Sequence, residues 1–98
     1  MTLDEFTQLM EKQETCPESL PNALVALWYE KKGDWEKAHE IAQSDSDTES
    51  AWVHAYLHRK EGDLFNARYW YKRSGQPECK EDLHQEWEQI ATNLLGKI

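Results

Sequence analysis

The sequence predicts an all-α fold of about six helices: two helical hairpins, with further helices flanking them. Three observations carry this. Apolar residues recur at helical spacing along most of the 98 residues. Only four Gly and three Pro are present, too few for the many tight turns of an all-β chain. A Gly-Asp pair occurs twice, at Gly33-Asp34 and Gly62-Asp63, each time between two helical patterns.

The elements follow in order. Thr2 with Glu5 forms a capping box, and Leu3, Phe6, Leu9 and Met10 share one helical face, giving a helix over about residues 3–14. Pro17 ends it, because the residue before a proline disfavours helix. Pro21 suits the first turn of a second helix, with Ala23, Leu24, Ala26, Leu27 and Trp28 as a broad apolar face. Lys31 and Lys32 complement the dipole at its end. Gly33 is a natural stop and Asp34 a cap for the third helix, whose stripe is Trp35, Ala38, Ile41 and Ala42. Ser46 with Glu49 offers a second capping box before a fourth helix carrying Trp52, Ala55 and Tyr56. Gly62 ends that helix and Asp63 caps the fifth, where Leu64, Ala67, Trp70 and Tyr71 recur. Ser74 to Pro77 breaks the chain. A last helix over about residues 79–95 carries Leu83, Trp87, Ile90, Ala91 and Leu94, with acidic residues in its first turn.

Composition bounds the partners. One domain with a modest core is expected at this length, and five Trp residues supply much of that core. No apolar run approaches the roughly 20 residues of a membrane span, and the start Met1 to Phe6 lacks the pattern of a signal peptide; the expectation is a cytoplasmic protein with no membrane partner. The net charge of −8 falls entirely within residues 1–50, while residues 51–98 are neutral. Nucleic acid is not expected as a partner, since its binding needs phosphate neutralisation. Cys16 and Cys79 stand apart from each other and from any metal-ligand spacing, and read as reduced thiols.

Residues 22–43 and 51–72 repeat one layout at a spacing of 29 residues. Ala26 and Ala55 lie inside the first helix of each, the Gly-Asp pair at the turn, and Ala38 and Ala67 four residues after each Asp. Small residues let antiparallel helices approach closely, and Gly permits the tight turn. On Tyr29, Gly33-Asp34 and Ala38, then Ala55, Gly62-Asp63, Ala67 and Tyr71, the chain resembles the tetratricopeptide and Sel1-like repeat families over about residues 20–76. The stretch Ala67 to Ser74 is similar to the end of a Sel1-like repeat. Departures are Asp45 at a small-residue position, His58 at an aromatic one, and the short period, so the repeats are degenerate. The string from Trp52 to Tyr71 also resembles a group of short bacterial proteins of unknown function.

The resemblance implies a helical stack in which the first and last helices act as caps, and a concave face lined by the first helix of each repeat. On that face Trp52, Tyr56, Arg59 and Lys60 would meet a protein or peptide partner, with Lys31 beside them to favour an acidic segment. A non-enzymatic interaction module is therefore the leading expectation, with self-association as a further one.

The alternative is a small-ligand or metal-binding protein, or a small enzyme. Its site would use His54, His58, Arg68 and Tyr69. His54 and His58 share a helical face, and His39 or Asp63 would complete a metal site. The intervening Ala55-Tyr56-Leu57 lacks the built-in Glu of the zinc-protease motif, and the simpler expectation is partly buried, hydrogen-bonded histidines with no metal and no cofactor. Arg59, Arg68 and Arg73 near Tyr56, Tyr69 and Tyr71 read first as Arg stems over an aromatic core; the alternative is a small cationic and aromatic pocket for a carboxylate or phosphate. No nucleophile motif, phosphate loop or catalytic carboxylate pair is present, so no catalytic residue is assigned.

Overall fold

The computed structural model describes all residues 1–98 and is wholly helical: α1 (Leu3–Lys12), α2 (Asn22–Lys31), α3 (Trp35–Gln43), α4 (Thr48–Glu61), α5 (Leu64–Ser74) and α6 (Leu83–Leu95). No helix is long and apolar enough to cross a membrane. Helices α2 and α3 form one hairpin, and α4 and α5 the other.

The two turns are built alike. Gly33 and Gly62 take left-handed conformations, with φ of 93° and 89°, which side-chain-bearing residues adopt only with strain. The following aspartates cap the next helix: Asp34 accepts the Lys37 N–H and Asp63 the Asn66 N–H. Ala26 and Ala38 are fully buried in the first hairpin, as are Ala55 and Ala67 in the second; at these points the absence of a larger side chain permits close helix packing. The first capping box is present, with Thr2 and Glu5 each accepting the other's backbone N–H.

Boundaries differ from expectation at three places. Helix α1 stops at Lys12. Helix α4 is capped by Asp47 rather than Ser46, with the Ser50 N–H donating to the Asp47 carboxylate at 2.6 Å. Helix α6 begins at Leu83, capped by Asp82, and not near residue 79. Glu78, Lys80 and Glu81 therefore precede the helix and belong to a strap that joins α5 to α6. Arg68 grips Glu78 at 2.9 Å, and Arg59 donates to the Glu81 carbonyl.

The main core lies where α1, α2, α4 and α6 converge. The Phe6 ring sits between two indoles, edge-on to Trp28 at 5.8 Å and stacked on Trp87 at 6.0 Å. Both indole N–H groups are satisfied, Trp28 by the Glu14 carbonyl and Trp87 by the Leu27 carbonyl. Leu24, Leu27, Val53, Leu57 and Ile90 fill the remainder and are fully buried. A smaller cluster of Ala55, Ala67 and Tyr71 joins α4 to α5.

The outer helices do not cap the two ends of a stack. Helix α6 turns back to pack on α1, α2 and α4, so α1 and α6 lie together across the exposed flank of the hairpins. Helix α5 packs chiefly on α4 and reaches α6 through Tyr71. Its outer side is left uncovered.

Candidate functional site

Three places gather the polar and aromatic side chains singled out by sequence. The first is the face of α4 that meets α6. Tyr56 is 2% exposed there, and its hydroxyl donates to Glu30 at 3.3 Å. Lys60 pairs with the same Glu30 carboxylate. Arg59 donates to Glu86 at 2.8 Å, and the Tyr71 hydroxyl holds the other Glu86 oxygen. Two buried glutamates, one from α2 and one from α6, are thus each held by a tyrosine and a cation. Burial and the adjacent carboxylates push both tyrosine hydroxyls well above their ordinary range. Three of the four residues expected to receive a partner are therefore engaged within the molecule, and α6 lies over them. Trp52 borders a polar groove of about 680 Å³ shared with Leu3 and the Gln85, Gln89 and Thr92 side of α6, while Tyr56 and Lys60 line a smaller cavity with Leu83 and His84.

The second place is a histidine cluster between the hairpins. His54 and His58, one turn apart on α4, stack on each other with ring centroids 4.8 Å apart. His39 enters from α3, edge-on to both, at 4.6 and 5.1 Å. Indoles close the cluster: Trp70 stacks on His54 at 3.9 Å and Trp35 on His39 at 4.9 Å. His58 Nδ1 lies 2.6 Å from the Glu61 carboxylate. His54 is 4% exposed, yet its Nδ1 has no hydrogen-bond partner, an omission that costs about 1–3 kcal/mol for a buried polar group. Burial, and then the neighbouring histidines, lower the His54 pKa to about 3, and burial lowers that of His39. The expectation that these histidines are partly buried holds, but they are not hydrogen-bonded across the helical pair: the rings meet by one stacked and two edge-on contacts, and the one close polar partner, Glu61, lies on α4 itself.

The cluster does not include the other two residues of the alternative site. Arg68 points away, exposed, toward Glu78. Tyr69 reaches only the edge of Trp70, at 5.2 Å, and is one layer removed from the histidines.

The third place was not foreseen. On α5, Ala67, Tyr71 and Ser74 face inward, which turns Phe65, Arg68, Tyr69 and Lys72 outward along one stripe. Phe65 is 83% exposed, Leu64 52% and Tyr69 49%. Arg73 lies over Tyr69 and Trp70, 5.9 and 5.4 Å from their ring centroids, and neither Arg73 nor Lys72 pairs with a carboxylate. The signal was present in the sequence: Phe65 falls outside the inward stripe of α5. By contrast Glu30 and Glu86 read as ordinary helix-surface residues, because burial of a glutamate is decided by which helices meet over it.

Compared with family models, curated proteins and solved structures, the chain finds no match.

Proposed function

We propose that this chain is a non-enzymatic interaction module of the cytoplasm, built from two degenerate tetratricopeptide-like hairpins, and that it receives an acidic protein or peptide segment on the outer face of α5. The exposure of Phe65 at 83% carries this reading. A helical stack ordinarily ends in a polar capping face. Here the terminal face presents Phe65, Leu64 and Tyr69 instead, interleaved with Arg68, Lys72 and Arg73. Exposed apolar groups rimmed by charge mark association surfaces, and aromatic and Arg side chains are the usual anchors of such surfaces. The cations favour an acidic segment, and they stand on a chain whose net charge is −8, so this face differs in sign from the molecule as a whole.

This reading moves the contact surface from Tyr56, Arg59 and Lys60, which are tied to Glu30 and Glu86, to the uncovered helix. The test is affinity capture from the source cell's lysate with wild-type protein and with a Phe65→Ser/Tyr69→Ser variant, whose helicity should be unchanged because both side chains face outward. A protein retained by the wild type and lost by the variant is expected. Its binding should weaken as salt rises, since exposed charges are screened. Equal retention by both would refute the assignment of this face. Sedimentation of the wild type alone separates a foreign partner from a second copy of the chain.

A further inference from the structure

We propose that His39, His54 and His58 form a binding site for one divalent transition-metal ion of the zinc, cobalt or nickel type, with Glu61 orienting His58. The site is independent of the α5 surface.

The ligand set comes first. His54 and His58 stand one turn apart on α4, and His39 faces them from α3. One ligating atom from each lies within 4.8 Å of the other two. Three nitrogens bound to one tetrahedral ion at about 2.0–2.1 Å stand roughly 3.4 Å apart. The rings therefore need to draw together by about 1.4 Å at most, a displacement within reach of rotation about their side-chain bonds. Three imidazoles with no thiolate suit zinc, nickel or cobalt over the hard ions magnesium and calcium, which take oxygen ligands.

A second observation points to an ion independently of the grouping. His54 is 4% exposed and its Nδ1 has no partner. The atom is shut off from bulk water, and the two other histidines stand against its ring. A cation among the three rings would give this nitrogen a partner. A protein that needed only a packed aromatic contact here would be better served by a phenylalanine, which carries no polar atom to bury.

The carboxylate supplies the third. His58 Nδ1 lies 2.6 Å from Glu61 Oε2, which leaves its Nε2 for coordination. A carboxylate on the far nitrogen of a ligating histidine fixes the ring and raises its basicity, and is a regular companion of metal-bound imidazole. Glu61 also brings negative charge beside the cation. Asp63 stands close as well, but its carboxylate is committed to Asn66, accepting the backbone N–H at 3.2 Å and the side-chain amide at 2.7 Å. Asp63 is accordingly a helix cap and not a ligand. The fourth position is left to water. The expected absence of a metal rested on the missing glutamate of the zinc-protease motif, which is the general base of an enzyme; a site that only holds an ion does not require it.

An ion held here would bridge α3 to α4, and so one hairpin to the other. The indoles of Trp35 and Trp70 are stacked directly on two ligands, which gives the site an optical reporter.

The experiment is titration of the metal-free full-length protein with zinc chloride at neutral pH, followed by the imidazole resonances in NMR spectra. The chain has four histidines, and His84, exposed on α6 beside Glu88, is the internal control. Zinc is expected to saturate at one equivalent, moving the resonances of His39, His54 and His58 while leaving His84 in place. Nickel should quench the tryptophan emission with the same stoichiometry. Glu61→Gln should weaken zinc binding by roughly 10–100-fold, and His39→Gln by more. His39 is only half-buried, so that variant should keep its circular dichroism spectrum. Zinc that moves His84 with the others, that binds His39→Gln as tightly as wild type, or that leaves all four histidines unmoved would overturn the proposal. Should His39→Gln fail to fold, the wild-type resonances decide by themselves.

Discussion

At the scale of single residues, the decisive groups are those whose burial contradicts their polarity. Glu86 is 1% exposed, and its charge is answered by Arg59 at 2.8 Å and by the Tyr71 hydroxyl. Removing one member of a buried pair leaves the other uncompensated and typically costs about 3–5 kcal/mol. Arg59→Met is therefore expected to lower the unfolding free energy by about 3 kcal/mol or more in urea titrations. A loss under about 1 kcal/mol, the range of exposed pairs, would show that Glu86 finds water in this chain. Arg59 is accordingly a poor probe of partner binding, since its removal should loosen α6. Cys16 offers a separate residue-scale test. Burial raises its thiol pKa to about 11, so less thiolate is present at a given pH. Alkylation of Cys16 by iodoacetamide at pH 8 should be slower in the folded protein than in urea; equal rates would show the thiol to be open to solvent.

At the scale of elements, much of the fold was legible because caps and turns are local. The Thr2–Glu5 box, the Gly-Asp turns and most apolar stripes depend on residues within about one turn of one another; Leu64, expected in the α5 stripe, is instead 52% exposed. Misplaced boundaries arose where two local signals competed. Ser46 and Asp47 are both good caps, and Asp47 is the one used, its carboxylate accepting the Ser50 N–H. Glu78 and Glu81 resemble a first turn suited to the dipole, yet they lie in the strap held by Arg68 and Arg59, and only Asp82 caps α6. The histidine cluster was half legible. The spacing of His54 and His58 places them on one face, whereas the approach of His39, Trp35 and Trp70 depends on how the two hairpins meet. Gly62 tests the turn itself. Its φ of 89° lies in the left-handed region, where a β-carbon costs roughly 1–2 kcal/mol. Gly62→Ala should destabilise by about that amount, and Gly62→Asn by less, because Asn tolerates the conformation. Equal stability of all three proteins would mean that the α4–α5 turn can be rebuilt without the left-handed residue.

At the scale of the whole molecule, the position of α6 could not be read from the sequence. Its apolar stripe shows that it packs, but not on what. The structure sets that stripe against α1, α2 and α4, with Trp87 as the joint: it stacks on Phe6, donates to the Leu27 carbonyl and lies under Lys31, whose ammonium is 4.9 Å from the ring centroid. One side chain thus links both ends of the chain to the first hairpin. Truncating a buried Trp to Ala costs about 3–5 kcal/mol, a large share of the roughly 5–15 kcal/mol that stabilises a domain. Trp87→Ala should therefore lower the unfolding free energy by about 3–5 kcal/mol in urea titrations. The manner of loss separates two pictures of the molecule. If the helices form one cooperative unit, amide exchange in the variant accelerates together in α1, α2, α4 and α6. If the hairpins are stable without their cover, exchange accelerates in α1 and α6 alone, while α2 to α5 stay protected. The first outcome is expected, because buried side chains of α1, α2, α4 and α6 form one continuous core, with Phe6 packed between Trp28 and Trp87. Protection confined to α2–α5 would show instead that two hairpins of this short repeat suffice for a folded core.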